Sequence, residues 1–217
     1  MTRSILVVNP KGGSGKTTIA TNLAGFFAAQ GNRVVLADMD RQQSTANWLS
    51  RRPDRVPHIK AWTADTDKKE IKAFDAQWTI VDSPAGAHGE KLTNLVRRVE
   101  LIIVPVSPSA FDMEATKNFL AELRAEKPVK KGESQVAVVG NRVDSRTLVA
   151  DELETFLKSL ELPILTYLRD TQNYVHCARD GYSLFDLAPS RVEQDLEQWN
   201  PLGRWLMRQA KMIQAAH

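Results

Sequence analysis

The chain has 217 residues, of which 42% are hydrophobic and 25% are charged, and its formal net charge is +3. This composition is typical of a soluble globular domain with a sizeable core, and it excludes a low-complexity or disordered polypeptide. The single cysteine, Cys177, excludes an intrachain disulfide framework and a multi-cysteine metal site, and no stretch approaches the ~18 apolar residues of a transmembrane helix.

The N-terminal region combines a predicted strand, Ile5–Val8, a glycine-rich loop and a predicted helix, Thr18–Gln30. Glycines let successive backbone N–H groups converge on an anion, and a helix N-terminus adds partial positive charge. In a loop of this kind the lysine contacts the β- and γ-phosphates and the next hydroxyl binds Mg²⁺. The loop therefore predicts a site for ATP or GTP with Mg²⁺, in which Thr17 binds the metal and the phosphates are held by Gly12, Gly13, Ser14, Gly15, Lys16, Thr17 and Thr18.

The loop departs at one point from the common pattern G-x-x-x-x-G-K-[ST], because Pro10 replaces the first glycine and Lys11 follows it. The run from Lys11 to Thr17 resembles the K-G-G-x-x-K-[ST] loop of the ParA/MinD family of P-loop ATPases, and the resemblance extends over nearly the whole chain. It implies that Lys11 crosses a dimer interface to the phosphates of the other subunit. Lys11 and Lys16 are then both catalytic and phosphate-binding residues.

Two aspartates follow the next predicted strand, Val34–Ala37. A carboxylate that faces the γ-phosphate can orient the attacking water or hold the water shell of the metal. The run that starts at Asp38 resembles the D-x-D-P-Q signature of the family, with Arg41 in place of proline. The resemblance implies that Asp40 positions the water and that Asp38 supports Mg²⁺. The following segment, Ser44–Trp48, is expected to be a switch that responds to the γ-phosphate.

A third carboxylate, Asp82, ends the predicted strand Thr79–Val81. Because Mg²⁺ retains several of its waters in proteins, Asp82 is expected to bind one of those waters. Alone, an aspartate in this position is equally consistent with a helix N-cap. Its order after the loop and the first pair of carboxylates favours the metal, and Pro84–Gly86 is expected to be a hinge in a second switch.

The identity of the nucleotide base is predicted from the residues around Asn141. This residue follows the predicted strand Val136–Val139. An asparagine amide presents a donor and an acceptor that suit the Watson–Crick edge of adenine. The run Asn141-Arg-Val-Asp144 is also close to the N-K-x-D pattern of GTPases, whose aspartate reads guanine. The resemblance favours ATP over GTP and places Asn141 at the base.

The adenine pocket is expected to be completed further along the chain. Leu162–Arg169 and Tyr174–Gly181 resemble the segments that wall this pocket in the family. Arg169 is expected either to contact the base or ribose or only to pair near Asp170, and the sequence leaves both alternatives open.

Apolar runs alternate with helix-compatible segments along the chain, and each proposed motif follows a run. The alternation predicts an α/β fold, a doubly wound, mainly parallel sheet with helices on both faces, in one domain over residues 1–217. Ligands bind such sheets at the carboxyl ends of the strands. The polar stretch Arg51–Lys72 has no assigned element. The remaining predicted strands are Leu101–Val106 and Ile164–Thr166, and the remaining predicted helices are Gly89–Arg98, Met113–Glu126, Thr147–Leu160 and Leu202–Ala215.

The resemblance implies an ATP-dependent dimerisation switch that partitions or positions a cargo. Its ATP-bound homodimer binds DNA without sequence preference, and a ParB-like or other adaptor protein on the cargo stimulates hydrolysis. The expected location is cytoplasmic, and nucleoid-associated in the ATP state. Because the chain begins at the strand before the loop, an N-terminal helix-turn-helix segment and operator binding are not expected.

The DNA-contacting residues are less specific in sequence. Pro189-Ser-Arg191 resembles the DNA-contacting segment of the family, which makes Arg191 the first candidate, followed by Lys158 and Arg204. Cations neutralise DNA phosphates, but clustered basic residues are as typical of a solvated helix face.

The alternative function is a MinD-like ATPase that associates with membranes. It requires an amphipathic C-terminal helix, and residues of Leu202–Ala215 do recur at helical spacing; core packing explains that stripe better, so a membrane partner is not expected. Among metabolic relatives of the fold, an iron-protein reductase would need two cluster cysteines, and the chain has one.

Overall fold

The computed structural model describes residues 2–63 and 75–215. Within them, seven parallel strands form one sheet in the order β3-β2-β4-β1-β5-β6-β7. The strands are β1 Arg3–Val7, β2 Val34–Asp38, β3 Lys60–Thr63, β4 Trp78–Asp82, β5 Leu101–Val106, β6 Gln135–Val143 and β7 Ile164–Arg169. The helices are α1 Lys16–Ala29, α2 Ser44–Ser50, α3 Gly89–Val96, α4 Ala110–Ala125, α5 Lys127–Lys130, α6 Leu148–Ser159, α7 Gln172–Asp180 and α8 Pro189–Ala215, with a 3₁₀ turn at Leu184–Asp186.

The sheet is buried on both faces, as its apolar strands require. Side chains alternate along β1, so that Ile5 and Val7 enter one core while Leu6 and Val8 enter the other. Helices α1 and α8 cover the first face, together with α2 and α7, and α3, α4 and α6 cover the second. The expected doubly wound parallel fold is therefore confirmed.

Several element boundaries differ from those predicted. Strand β3 lies inside the polar stretch for which no element was expected, and residues 64–72 of that stretch lie outside the described part of the chain. The last helix begins at Pro189 rather than at Leu202. Its first half is polar, and it contains a non-helical residue, Val192 (φ −130°), and Pro201, so its apolar periodicity is weak in sequence. The expectation of a single domain over residues 1–217 stays a prediction.

The apolar stripe of α8 packs into the core. Trp199, Leu202 and Leu206 are at most 1% exposed, and they join the cluster formed by α1 and the first face of the sheet. Gly203 permits this approach, because a Cβ there would lie 2.8 Å from the ring of Phe26. Across residues 2–63 and 75–215, no helix has the length and apolarity needed to cross a bilayer.

Candidate functional site

The loop of residues 9–15, here called the phosphate loop, joins β1 to α1 at the carboxyl edge of the sheet. Gly13 and Gly15 adopt left-handed φ angles of 81° and 92°, which glycine tolerates without strain. The buried Asn9 side chain fixes the start of the loop. Its Nδ2 donates to the Pro105 carbonyl (2.8 Å) and to Thr116 Oγ1 (3.1 Å), while its Oδ1 accepts the Lys11 N–H (3.0 Å).

Asn141, expected at the base, lies directly beneath the phosphate loop. Its Nδ2 donates to the Ser14 carbonyl at 2.9 Å, and a Cβ added to Gly15 would come within 2.0 Å of that nitrogen. The adjacent Arg142 Nη1 donates to the Gly13 carbonyl at 3.3 Å. Gly15 is therefore required both by its backbone angle and by close packing, and the end of β6 supports the loop from below.

The predicted phosphate and metal ligands meet at one point. Thr17 Oγ1 donates to Asp82 Oδ2 at 2.8 Å, and the buried Lys16 Nζ donates to the Lys11 carbonyl at 2.8 Å. Burial lowers the pKa of Lys16, while the nearby Asp82 and Asp40 charges raise it. In the register of the sheet, Asp38 stands directly beside Asp82, so the two predicted metal-supporting carboxylates share the carboxyl edge.

Asp82 carries the electrostatic signature of a cation site. Its pKa is raised to about 7, mainly by burial and also by the neighbouring Asp38 charge, against the lowering effect of the Thr17 hydrogen bond. Its Oδ1 is buried without a hydrogen-bond partner among the described residues. A buried carboxylate oxygen beside a threonine hydroxyl is a donor set that suits Mg²⁺. The residues present therefore fit this metal.

Asp38 and Asp40 hold the segment that follows β2. Asp38 Oδ2 accepts the N–H groups of Thr45 (2.9 Å) and Ala46 (3.1 Å), in the first turn of α2. Asp40 Oδ2 accepts the Ala85 N–H at 3.4 Å, which links the segment after β2 to the hinge expected at Pro84–Gly86. Asp38 therefore holds the start of α2, and Asp40 connects the segment after β2 to the segment after β4.

Helix α2, expected to be a switch, is anchored at its far end. Trp48 is 2% exposed, and its Nε1 donates to the carbonyls of Cys177 (3.3 Å) and Tyr182 (3.1 Å). Arg52 makes a buried bidentate ion pair with Asp186 at 2.8 and 2.9 Å. The switch role expected for Ser44–Trp48 stays a prediction, and a movement of this segment would have to retain or break the contacts of Trp48.

Lys11 forms an ion pair with Asp112, in the first turn of α4 of the same chain. The Lys11 side chain is 38% exposed and that of Asp112 is 14% exposed. Sequence reasoning missed Asp112, Asn9 and Thr116, because only the fold brings α4 against the loop. An aspartate in the first turn of the helix after β5 was the available signal, and it is equally typical of an ordinary helix start.

The remaining predicted residues lie away from the phosphate loop. Arg169 at the end of β7 pairs with the buried Asp195 of α8 (Nε–Oδ1 2.5 Å) and donates to Gln194 (2.6 Å). Of the two alternatives left open for Arg169, the structure shows an ion pair, but with Asp195 rather than near Asp170. Its contact with base or ribose stays a prediction.

The three candidate DNA contacts are spread over both faces of the molecule. Arg191 and Arg204 lie on α8, and Arg191 Nη2 is 3.5 Å from His176 Nδ1. Lys158 lies on α6, across the sheet, where it pairs with Glu154 at 2.6 Å. The structure brings Arg204 together with Arg208 and Lys211 beside a groove that also contains Phe26.

Comparison with known proteins gives a consistent result. A family model described as the CobQ/CobB/MinD/ParA nucleotide binding domain matches residues 5–184. The chain is 27% identical over 190 residues to maintenance of carboxysome distribution protein A of Halothiobacillus neapolitanus, covering 85% of this chain and 87% of that one. It is 27% identical over 195 residues to the chromosome-partitioning ATPase Soj of Thermus thermophilus, covering 72% and 76%. Among solved structures, a plasmid partition protein of Borrelia burgdorferi bound to AMPPNP superposes with a TM-score of 0.74 at 15% identity, covering 96% of this chain and all of that one.

Proposed function

The chain belongs to the CobQ/CobB/MinD/ParA nucleotide-binding family, and we propose that it is an ATPase whose ATP-bound homodimer binds DNA and positions a cargo. One observation carries the proposal: Lys16, Thr17 and a buried, partly unsatisfied Asp82 meet at the phosphate loop, with Lys11 beside them. The names of the relatives, a carboxysome distribution protein and a chromosome-partitioning ATPase, support the positioning role.

Phosphate binding uses groups that are already in place. The N–H groups of residues 12–18 surround the phosphates, and Lys16 Nζ exchanges the Lys11 carbonyl for phosphate oxygens. Thr17 would hold Mg²⁺ directly, while Asp82 and Asp38 would hold it through its waters. The metal supplies charge neutralisation on the transferred phosphoryl group.

Hydrolysis is assigned to Asp40. Its carboxylate lies at the same edge of the sheet, held by the Gln42 N–H (3.0 Å) and the Ala85 N–H (3.4 Å). It accepts a hydrogen bond from a water, whose oxygen attacks the γ-phosphorus as the bond to the β–γ bridging oxygen breaks. The products are ADP and inorganic phosphate.

Recognition of the adenine base is assigned to Asn141 and Arg169. Asn141 Nδ2 donates one of its two N–H groups to the Ser14 carbonyl, and its Oδ1 would accept a hydrogen bond from the adenine amino group. Arg169 is held by Asp195 through Nε and by Gln194 through Nη1, and we expect its guanidinium to turn toward the base or ribose when nucleotide binds. A nucleotide-dependent change in that ion pair is therefore part of the proposal.

We assign dimerisation to Lys11. In the dimer its side chain would break the ion pair with Asp112 and contact a phosphate bound by the second subunit. The γ-phosphate thereby selects the dimer, and its loss releases the two copies. A ParB-like or other adaptor on the cargo would stimulate the hydrolysis that resets the cycle. In the ATP state the protein would be associated with the nucleoid.

DNA contact is assigned to Arg191 and Arg204 on α8. No acidic residue occurs from residue 198 to the end of the chain, and Arg204, Arg208 and Lys211 form no ion pair within the part of the chain that the structure describes. Unpaired cations are the groups that neutralise DNA phosphates. Lys158, across the sheet and paired with Glu154, is the weakest of the three candidates.

The test is duplex DNA binding by the full chain with ATP and Mg²⁺, with ADP and Mg²⁺, and across a salt series. Binding with ATP alone, with log affinity falling steeply against log salt, supports the proposal. Lys16→Ala should lose both nucleotide and DNA binding. Arg33→Ala, which removes an exposed cation paired with Asp75, serves as a surface control. Equal binding with ATP and ADP, or none with either, contradicts the DNA-binding part. The membrane alternative would need α8 free to insert, whereas Leu202 and Leu206 are buried.

A further inference from the structure

Two large apolar side chains are strongly exposed at the carboxyl edge of the sheet. Phe111, in the first turn of α4, is 79% exposed, and Leu148, which begins α6, is 81% exposed. Both follow strands next to or near β1, so they share an edge with the phosphate loop. Scattered exposed apolar residues are ordinary, but neighbouring ones at a functional edge mark an interaction surface.

A groove runs between α4 and α6 beside these residues. Its cavity is about 650 Å³, and Ala110, Met113, Leu148 and Phe156 give it an apolar floor. Met113 and Phe156 also pack against the second core, so the floor is anchored to the sheet. The groove is therefore a fixed feature of the surface rather than the gap between two loose helices.

The first turn of α4 joins this groove to the nucleotide site. Its consecutive residues point in different directions around the helix. Ala110 lines the groove, Phe111 is exposed to solvent, and Asp112 pairs with Lys11 of the phosphate loop. A second protein molecule that contacts Lys11 would therefore also contact Phe111 and the groove.

We propose that Phe111 of one copy inserts into the α4–α6 groove of the second copy in the ATP-bound dimer, an inference that rests on the ATP-dependent dimer proposed above. The protruding ring and the groove occur on the same chain. A two-fold axis at the carboxyl edge would therefore fill both grooves at once, as an isologous interface requires.

Charge at this edge favours a second copy as the occupant. Asp151 and Glu152 form an acidic wall of the groove, while Arg142 is exposed at the end of β6; the nearby Arg146 is paired with Asp144 of its own chain. Each copy thus carries both acidic and basic side chains at the carboxyl edge of the sheet. Two copies related by a two-fold axis can place opposite charges together, which favours association in one register.

The test is sedimentation of the full chain with Mg²⁺ and a non-hydrolysable ATP analogue. Phe111→Ser should weaken dimerisation by about 10-fold or more, as expected for an aromatic residue at the centre of an interface. Leu148→Ser should act in the same direction. Met212→Ser, which removes a 59% exposed side chain from α8, is the matched control and should dimerise normally. Binding of the analogue to dilute monomer should be equal for all four proteins.

A cross-linking experiment reports the contact directly. Subunits with Phe111→Cys are mixed with subunits with Leu148→Cys, and a disulfide between them should form with the analogue but not with ADP. Buried Cys177 should not interfere, and Met212→Cys replaces Phe111→Cys in the control mixture. If the unaltered chain dimerises with the analogue while Phe111→Ser dimerises equally well, the groove contact is overturned and the dimer stands. If the unaltered chain stays monomeric, the proposed dimer and the contact both fail.

Discussion

Lys11 and Asp112 form an ion pair within one chain, between the phosphate loop and the first turn of α4. One turn further along α4, Thr116 accepts a hydrogen bond from Asn9, which in turn accepts the Lys11 N–H. The side chain and the backbone of Lys11 are thus both positioned by the same helix. Transfer of Lys11 to a second subunit would leave Asp112 without its counter-ion.

Two substitutions that break this ion pair are expected to have opposite effects on dimerisation. Lys11→Ala should bind ATP but lose the ATP-dependent dimer, because the proposed contact across the interface is gone. Asp112→Asn should dimerise at least as well as the unaltered chain, because it frees Lys11 from its own subunit. Sedimentation with a non-hydrolysable analogue measures both. If both variants lose the dimer equally, dimerisation requires the ion pair between Lys11 and Asp112, and the proposed transfer of Lys11 to the second subunit is wrong.

Asp40→Ala should bind ATP, dimerise and remain on DNA while its hydrolysis falls by about 100-fold or more, the usual scale for a residue that positions or activates a nucleophile. Phosphate release in single-turnover experiments measures the chemical step separately from binding. Asp75→Ala changes an aspartate that precedes β4 and is 84% exposed, and this variant should hydrolyse ATP normally. A hydrolysis rate near that of the unaltered chain would remove Asp40 from the catalytic role.

The buried pair of Arg52 with Asp186 predicts a large effect on stability. Asp186→Asn leaves the Arg52 guanidinium buried without its carboxylate partner, which costs about 3–5 kcal/mol of unfolding free energy. Urea unfolding measures this loss, provided that the dependence of the unfolding free energy on urea concentration (the m-value) is the same for the variants. Glu154→Gln breaks the exposed pair with Lys158 and should change stability little. Similar midpoints for the two variants would contradict a structural role for the buried pair.

Asp82 predicts a pH dependence of stability for the chain without metal and nucleotide. Burial raises its pKa to about 7 in the folded state, against about 4 in the unfolded chain. The folded state then binds the proton more tightly, so this group lowers the free energy of unfolding as pH rises from about 4 to about 7. Asp82→Asn removes that contribution.

Thermal unfolding in the presence of a chelator checks this sign. The variant should gain stability relative to the unaltered chain between about pH 5 and about pH 8. Asp75→Asn, whose side chain is 84% exposed, should show no such gain. Parallel pH profiles for the unaltered chain and Asp82→Asn would contradict the raised pKa.

The convergence of the predicted nucleotide-site residues could be anticipated from sequence, because these residues lie at or just after strand ends. Lys16 and Thr17 begin α1 directly after the phosphate loop, and Asp38 and Asp82 each end an apolar strand, so a parallel sheet brings them to the same edge. The alternation of apolar runs was likewise sufficient for the fold, since buried parallel strands leave continuous apolar signals.

What sequence reasoning missed depends on packing between distant segments. The pairing of Lys11 with Asp112 and the contact of Asn141 with Ser14 exist only once the helices and β6 meet the phosphate loop. The anchoring of α2 was also missed, because Trp48 donates to carbonyls far along the chain. The early start of α8 was hidden by a polar first half that carries little apolar periodicity.

The central place of β1 has a consequence for how the molecule opens. β1 lies between β4 and β5, and Ile5 to Val8 are fully buried, so its amides should exchange with solvent only through global unfolding. Opening that starts at the outer strands β3 and β7 leaves this centre intact. The phosphate loop connects β1 to the largely buried α1, so partial opening at the edges of the sheet would leave the phosphate-binding groups in place.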